Sequence, residues 1–184
     1  MLRCAALSPN IKDRLDFSCA VFDVDGQLCA QAAHIPVHLG SMAYAMQNIV
    51  SRLDWHEGDM VIVNDPYLGG THLPDVTFIS PVITDGILLA FVANRAHHAD
   101  IGADSPGSMP ISMSLDDEGL VIPPVHLVRG GEPDRKKLQD ILAATANPLQ
   151  MPGDLAAQLS ANRAGGERLV ELARSKGLDG YRPG

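Results

Sequence analysis

Apolar positions along this chain fall into strand-like runs and helical stripes, punctuated by Gly, Asp and Pro. Phe17 to Val24 alternates imperfectly and predicts a strand; Asp25-Gly26 supplies a turn, and Gln27 to Gln31 returns. Met42, Met46, Ile49, Val50 and Leu53 recur at helical spacing, which predicts a helix from His38 or Ser41 to Leu53. Gly58-Asp59 breaks the chain before a short strand, Met60 to Val63. Val76 to Ile83 and Ile87 to Ala93 are apolar runs on either side of Asp85-Gly86, a strong hairpin signal because both central positions of the tight turn need positive φ. Pro81 inside the first run predicts an edge strand or a bulge. Ile101 to Asp117 is a long irregular stretch, and Leu120–Ile122 and His126–Val128 predict short strands around Pro123-Pro124. From Pro133 the pattern turns helical. Asp134 is the expected N-cap of a helix to Ala146, which Asn147-Pro148 ends. Asp154 is the expected cap of another, reaching about Lys176, with Leu155, Leu159, Leu169 and Leu172 on its apolar face. The expected fold class is α+β: a mixed, largely antiparallel sheet with hairpins, packed by helices, with a helical C-terminal tail. One domain over 1–184 is expected, β-rich over about 8–130 and helical over about 133–177.

The Asp85-Gly86 hairpin matters because of what stands at its open end. Asn64 to Asp75 is a Gly-rich stretch that finishes in His72-Leu73-Pro74-Asp75, and the returning strand leads into Asn94-Arg95-Ala96-His97-His98-Ala99-Asp100. Counting outward from the turn puts Asp75 opposite Ala96 and beside His97; a bulge at Pro81 shifts the count by one. Cross-strand Cβ atoms lie roughly 5 Å apart, which suits side chains closing on one ion with ligand bonds of roughly 2.0–2.2 Å. His72, three residues before Asp75 and after two glycines, curls back over the same spot. Two imidazoles and a carboxylate suit Zn²⁺, Mn²⁺ or Fe²⁺, and three protein ligands leave a position for water or substrate. His97 and His98 point to opposite faces if the strand continues; register favours His97 as the ligand and leaves His98 as an acid/base group or a packed residue. Asp100 is read either as an acceptor orienting an imidazole or as the start of the loop. Arg95 is read as a partner for an anionic substrate group or as half of a structural ion pair, with Asn94 beside it as a polar strand-end residue; Asn94, Arg95 and Asp100 are the expected substrate-binding residues.

Composition narrows the partners. The chain has 184 residues, 46% hydrophobic but only 4% aromatic, and a formal net charge of −8. The acidic balance disfavours nucleic acid and an anionic membrane surface, and no apolar run approaches the roughly 20 residues of a membrane span. Cys4, Cys19 and Cys29 form no metal or disulfide pattern, which points to a reducing, cytoplasmic setting. His34 and His38 sit at i, i+4, but Pro36 between them favours helix entry and packing over metal binding. His56 and His126 have no partner in sequence. Gly69-Gly70 lacks a Walker lysine, and no nucleotide motif is present.

Ser8-Pro9-Asn10-Ile11-Lys12, Arg14 to Ala20, His34 to Met42, Asn64 to Asp75, Asn94 to Asp100, Pro106-Gly107-Ser108-Met109-Pro110, Glu118-Gly119-Leu120, Ile122-Pro123-Pro124, Gly153-Asp154-Leu155 and Asn162-Arg163 together resemble the hydantoinase B/oxoprolinase family. The resemblance implies the B-type subunit of ATP-dependent enzymes such as N-methylhydantoinase and 5-oxoprolinase, with acetone carboxylase subunits as relatives. It implies a hetero-oligomer in which a hydantoinase A-type ATPase partner uses ATP to phosphorylate the carbonyl oxygen of a small-molecule substrate. The B-type chain then completes ring-opening hydrolysis, or carboxylation. A metal-holding His-x-x-Asp pair and later His of the carboxylase relatives fall on His72, Asp75 and His97. Family members run much further at the C-terminus, so the chain reads as a partial domain. A cyclic-amide hydrolase, a ketone carboxylase subunit and a non-catalytic assembly module stay open as readings.

Overall fold

The computed structural model describes residues 2–33, 35–103, 112–145 and 150–177. His34, the Pro106–Pro110 motif and the Asn147-Pro148 break lie outside them. The elements run α1 (Leu2–Ala5), α2 (Pro9–Lys12), β1 (Phe17–Phe22), β2 (Leu28–Ala33), α3 (His38–Ile49), β3 (Met60–Val63), β4 (Asp75–Thr84), β5 (Ile87–His97), α4 (Leu115–Glu118), β6 (Val125–Arg129), β7 (Glu132–Pro133), α5 (Arg135–Ala143) and α6 (Gln150–Lys176). Seven strands form one sheet in the order β2-β1-β5-β4-β3-β6-β7. Every pairing is antiparallel. The fold is α+β, as the pattern predicts.

Asp85 and Gly86 take φ of 52° and 74°, so the central hairpin turns where the Asp-Gly signal places it. The expected irregularity sits elsewhere, however. Pro81 pairs normally with Phe91, while the register slips between Val82 and Ile83, leaving Leu89 as the extra residue on β5. Pro81 fits inside β4 because the ladder with β3 ends at Ile79, so its missing N–H faces no partner strand. The slip moves the count by one and sets Asp75 directly opposite His97.

Helices cover both faces. On one, α3 lays Met42, Ala45, Met46 and Ile49 over Phe22, Val61, Ile79 and Phe91. On the other, α5 and α6 bring Ile141, Met151 and Leu155 onto Ile62, Val76 and Phe78. Two expectations are corrected here. Leu120–Ile122 is not a strand; Pro123-Pro124 follow it, and its backbone instead bonds Asn64. Asp154 does not start a helix, since α6 already runs from Gln150. Its carboxylate accepts from the backbone N–H of Leu7 and Ser8 (2.7 and 3.1 Å), tying the N-terminal segment to α6. The leucine stripe docks in part: Leu155 is buried and Leu159 packs against the same core, Leu172 is half exposed, and the polar residues Asp154, Gln158 and Asn162 are buried as well.

Candidate metal centre

The site is built where β4 begins and β5 ends. Asp75, Thr77, Arg95 and His97 alternate onto the α3 face, while Val76, Asn94 and His98 face α6. His72 arrives on the preceding loop. That loop starts with a short 3₁₀ turn, Pro66–Leu68, capped by the Asp65 carboxylate on the Tyr67 N–H. At Gly69 the backbone has φ of 100°, and a Cβ there would stand 2.5 Å from the Ala45 nitrogen of α3, so only glycine allows the loop to lie against the helix. Asn64 anchors the return: its amide donates to the Leu73 and Leu120 carbonyls and accepts from the Ile122 N–H. The His72 carbonyl then accepts from the Asp75 N–H.

Three side chains converge. His72 Nε2 and His97 Nδ1 are 2.9 Å apart. His97 Nδ1 is 3.2 Å from Asp75 Oδ1, and His72 Nδ1 is 3.5 Å from Asp75 Oδ2. One donor atom from each of the three lies within 4.8 Å of the others. Asp75 is fully buried, but the rings of His72 and His97 are 25% and 16% exposed, so solvent reaches the imidazoles and not the carboxylate. Two further groups join them. His38 Nε2 is 3.5 Å from Asp75 Oδ2, and Asp16 Oδ2 is 3.9 Å from His97 Nδ1. The Thr71 hydroxyl also donates to Asp75 Oδ2.

Electrostatics follow from this packing. Burial by itself pushes the Asp75 carboxyl up, but His38, His97, His72 and Thr71 around it outweigh burial and hold it far below the usual carboxylate range. Burial drives His72 down, against the pull of Asp75, which keeps the imidazole neutral and its lone pair available near pH 7.

The other sequence candidates sit around this cluster, not in it. Arg95 is buried, and its guanidinium donates to Thr77 Oγ1, Ser41 Oγ and the Gly69 carbonyl; burial lowers it to about 10 despite the nearby Asp75. Asn94 faces α6 and donates to the Gln158 carbonyl and Asn162 Oδ1. His98 lies on that same far side, buried, with Nε2 2.7 Å from Gln158 Oε1, and burial drives it toward the neutral form. Asp100 is buried and accepts from the Gly102 N–H. Sequence reasoning missed Asp16 and His38 as neighbours of the site. Asp16 immediately precedes β1, which pairs with β5, and no spacing links it to His97. His38 had one signal, its spacing from His34, and that was read as helix entry; it does begin α3.

Fold and site together define an α+β domain that gathers two histidines and a buried aspartate at the open end of its central hairpin. The chain belongs to the hydantoinase B/oxoprolinase family, whose sequence model matches residues 1–183. It is 44% identical over 177 residues to a 5-oxoprolinase of Dictyostelium discoideum, covering 95% of this chain and 14% of that protein. Among solved structures it resembles the ATP-dependent caprolactamase of Pseudomonas jessenii, with a TM-score of 0.84 and 33% identity over 89% of this chain and 29% of that one. The fold is shared with nucleotide-free acetone carboxylase, with a TM-score of 0.91 at 20% identity, over 98% of this chain and 24% of that one. The chain spans between 14% and 32% of the length of the curated relatives it matches.

Proposed function

We propose that this chain is the metal-carrying portion of a B-type subunit in an ATP-dependent cyclic-amide hydrolase of the hydantoinase/5-oxoprolinase type. On this reading it completes ring opening of a small substrate whose carbonyl a hydantoinase A-type ATPase partner has activated, in a hetero-oligomer. The observation that carries the reading is the convergence of His72, Asp75 and His97 on one half-open volume. Two relatives support the substrate class, since 5-oxoproline and caprolactam are both cyclic amides, and the caprolactamase is ATP-dependent by name.

The residues fit a divalent cation. Their donor atoms stand close enough to share one ion, the carboxylate is held anionic, and the histidines are within reach of solvent. His72, Asp75 and His97 would hold it; Zn²⁺, Mn²⁺ and Fe²⁺ all suit two imidazoles and one carboxylate. When bound, such an ion supplies Lewis acidity to a carbonyl and lowers the pKa of water. Asp75 supplies fixed negative charge. His72 and His97 supply nitrogen donors. Arg95 holds the Gly69 loop that carries His72, Asn94 ties β5 to α6 on the opposite face of the sheet, and Asp100 accepts from Gly102 in the loop beyond His98. His98, the acid/base candidate, ties β5 to α6 on the far side of the sheet from His97. No helix among the described residues is long and apolar enough to cross a membrane, in keeping with a cytoplasmic enzyme.

Elemental analysis and turnover test the reading. The full-length protein is expected to purify with a divalent metal, and His72→Ala or Asp75→Ala to lose most of it with the fold retained by circular dichroism. With an A-type partner and ATP, 5-oxoproline or a hydantoin is expected to open. Unchanged metal content in both variants defeats the site. Turnover of acetone with bicarbonate in place of the lactams points to the carboxylase reading, and metal without any turnover to an assembly module.

A further inference from the structure

His38 is a buried histidine that the proposed chemistry leaves unused. Its ring is 1% exposed at the first position of α3. Both nitrogens of a buried imidazole need partners. Nδ1 lies 3.0 Å from Ser18 Oγ, itself fully buried on β1. Nε2 lies 3.5 Å from Asp75 Oδ2. An ionised carboxylate only accepts, so Nε2 is the donor of that pair; in a ring with one proton Nδ1 is then the acceptor, and the Ser18 hydroxyl donates to it. The chain of polar contacts runs in one direction, from Ser18 through His38 to Asp75.

The consequence is a division of labour between the two oxygens of Asp75. Oδ2 takes the Thr71 hydroxyl and His38 Nε2–H and lies 3.5 Å from His72 Nδ1. Oδ1 faces His97 Nδ1 at 3.2 Å. We propose that His38 is a positioning residue of the metal centre, which, braced by Ser18, occupies Oδ2 of Asp75 and leaves Oδ1 as the oxygen turned toward His97. The inference rests on the proposed metal centre and adds to it a residue that never touches the ion. Outer partners of this kind fix the orientation of a ligand, and losing one weakens metal affinity by about 10–100-fold.

The test is a metal titration of the full-length protein with Mn²⁺ and Zn²⁺, paired with pulsed EPR of the Mn²⁺ form to count coordinated imidazoles. His38→Ala is expected to weaken binding by about 10–100-fold, with one ion still bound at saturation and two imidazoles coordinated, as in the wild type. His38→Gln is expected to recover most of the affinity, because its amide can donate to Asp75. Ser18→Ala is expected to weaken binding less than His38→Ala. Three imidazoles in the wild type falling to two in His38→Ala overturn the proposal by making His38 a ligand. Wild-type affinity in the variants, with only a lower urea midpoint, overturns it by making His38 a packing residue. If His38→Ala fails to fold, His38→Gln and Ser18→Ala decide: a weakened Ser18→Ala with a recovered His38→Gln upholds the proposal, and Ser18→Ala at wild-type affinity overturns it. A wild-type protein that takes up no metal removes the centre itself and this proposal with it, whereas a metal-binding wild type with unaffected variants removes only this proposal.

Discussion

Arg95 is a buried cation that forms no ion pair with any carboxylate among the described residues; its bonds go to a serine, a threonine and a carbonyl. Those three acceptors belong to α3, β4 and the Gly-rich loop, so one planar fork sets the spacing of three elements around Asp75. A lysine there donates from a single nitrogen, which cannot span acceptors met separately by Nε, Nη1 and Nη2. Arg95→Lys is expected to cost about 2–4 kcal/mol, since each buried acceptor left bare costs roughly 1–3 kcal/mol; a urea midpoint that falls at unchanged slope measures it. Metal affinity should fall as well, because the Gly69 carbonyl is the loop's hold beside His72. Asp59 gives a separate prediction by pH. Burial alone raises its carboxyl, but the N–H groups of Gly130 and His56, and then Arg129, outweigh burial and leave it lowered. A folded pKa below the unfolded value of about 3.9 means stabilisation that is complete above the unfolded value and is lost as pH falls from there through the folded pKa. Melting temperature should drop from pH 5 to pH 3 in the wild type and drop less in Asp59→Asn. What could be read of the site in the sequence follows the same divide. His72, Asp75 and His97 were legible because one hairpin, a local signal, fixes their approach. His38 and the true use of Arg95 were not, because their partners come from β1 and α3, and neither periodicity nor spacing says how those elements are laid across the sheet.

At the scale of elements, α6 is the instructive case. Apolar periodicity singled out Leu155, Leu159, Leu169 and Leu172; Leu155 and Leu159 do pack on the core, but the helix also docks through Asp154, Gln158 and Asn162, a polar stripe at i, i+4, i+8. Gln158 donates to the Val76 carbonyl and Asn94 Oδ1 and meets His98 Nε2, and Asn162 donates to Ser80 Oγ. A search for apolar faces passes over such a stripe, because burial is inferred there from hydrophobicity and here it follows from hydrogen bonding. Gln158→Leu keeps the volume but strands two acceptors and a ring nitrogen, and about 2–5 kcal/mol of destabilisation is expected. Leu172→Ser, on the half-exposed face, should stay within about 0.5 kcal/mol. Equal losses from the two variants by urea unfolding would mean that the Leu172 end of the helix docks as firmly as the polar stripe. The bulge at Leu89 teaches the same lesson in β5: proline was the visible irregularity, but the residue that shifts the register carries no mark in the sequence.

For the whole molecule, the donor set joins segments that the unfolded chain keeps apart. His72 and Asp75 lie before the hairpin and His97 after it, and Asp75 is braced from α3 by His38. An ion that binds these residues only in the folded arrangement adds its binding energy to folding, as RT ln(1 + [M]/Kd), about 2.7 kcal/mol at a hundredfold excess over Kd. For a chain of this size each kcal/mol moves the melting temperature by about 2–4 °C, so saturation should raise it by about 5–10 °C. EDTA should reverse the shift. His72→Ala should abolish it, and Leu172→Ser should leave it intact. The prediction separates a built site from adventitious surface binding, because an ion held loosely by exposed carboxylates has no preference for the fold. It also needs neither substrate nor any partner, so it bears on the proposed metal centre alone. A melting temperature that ignores the metal while elemental analysis still finds it bound would mean that the ion sits away from the hairpin.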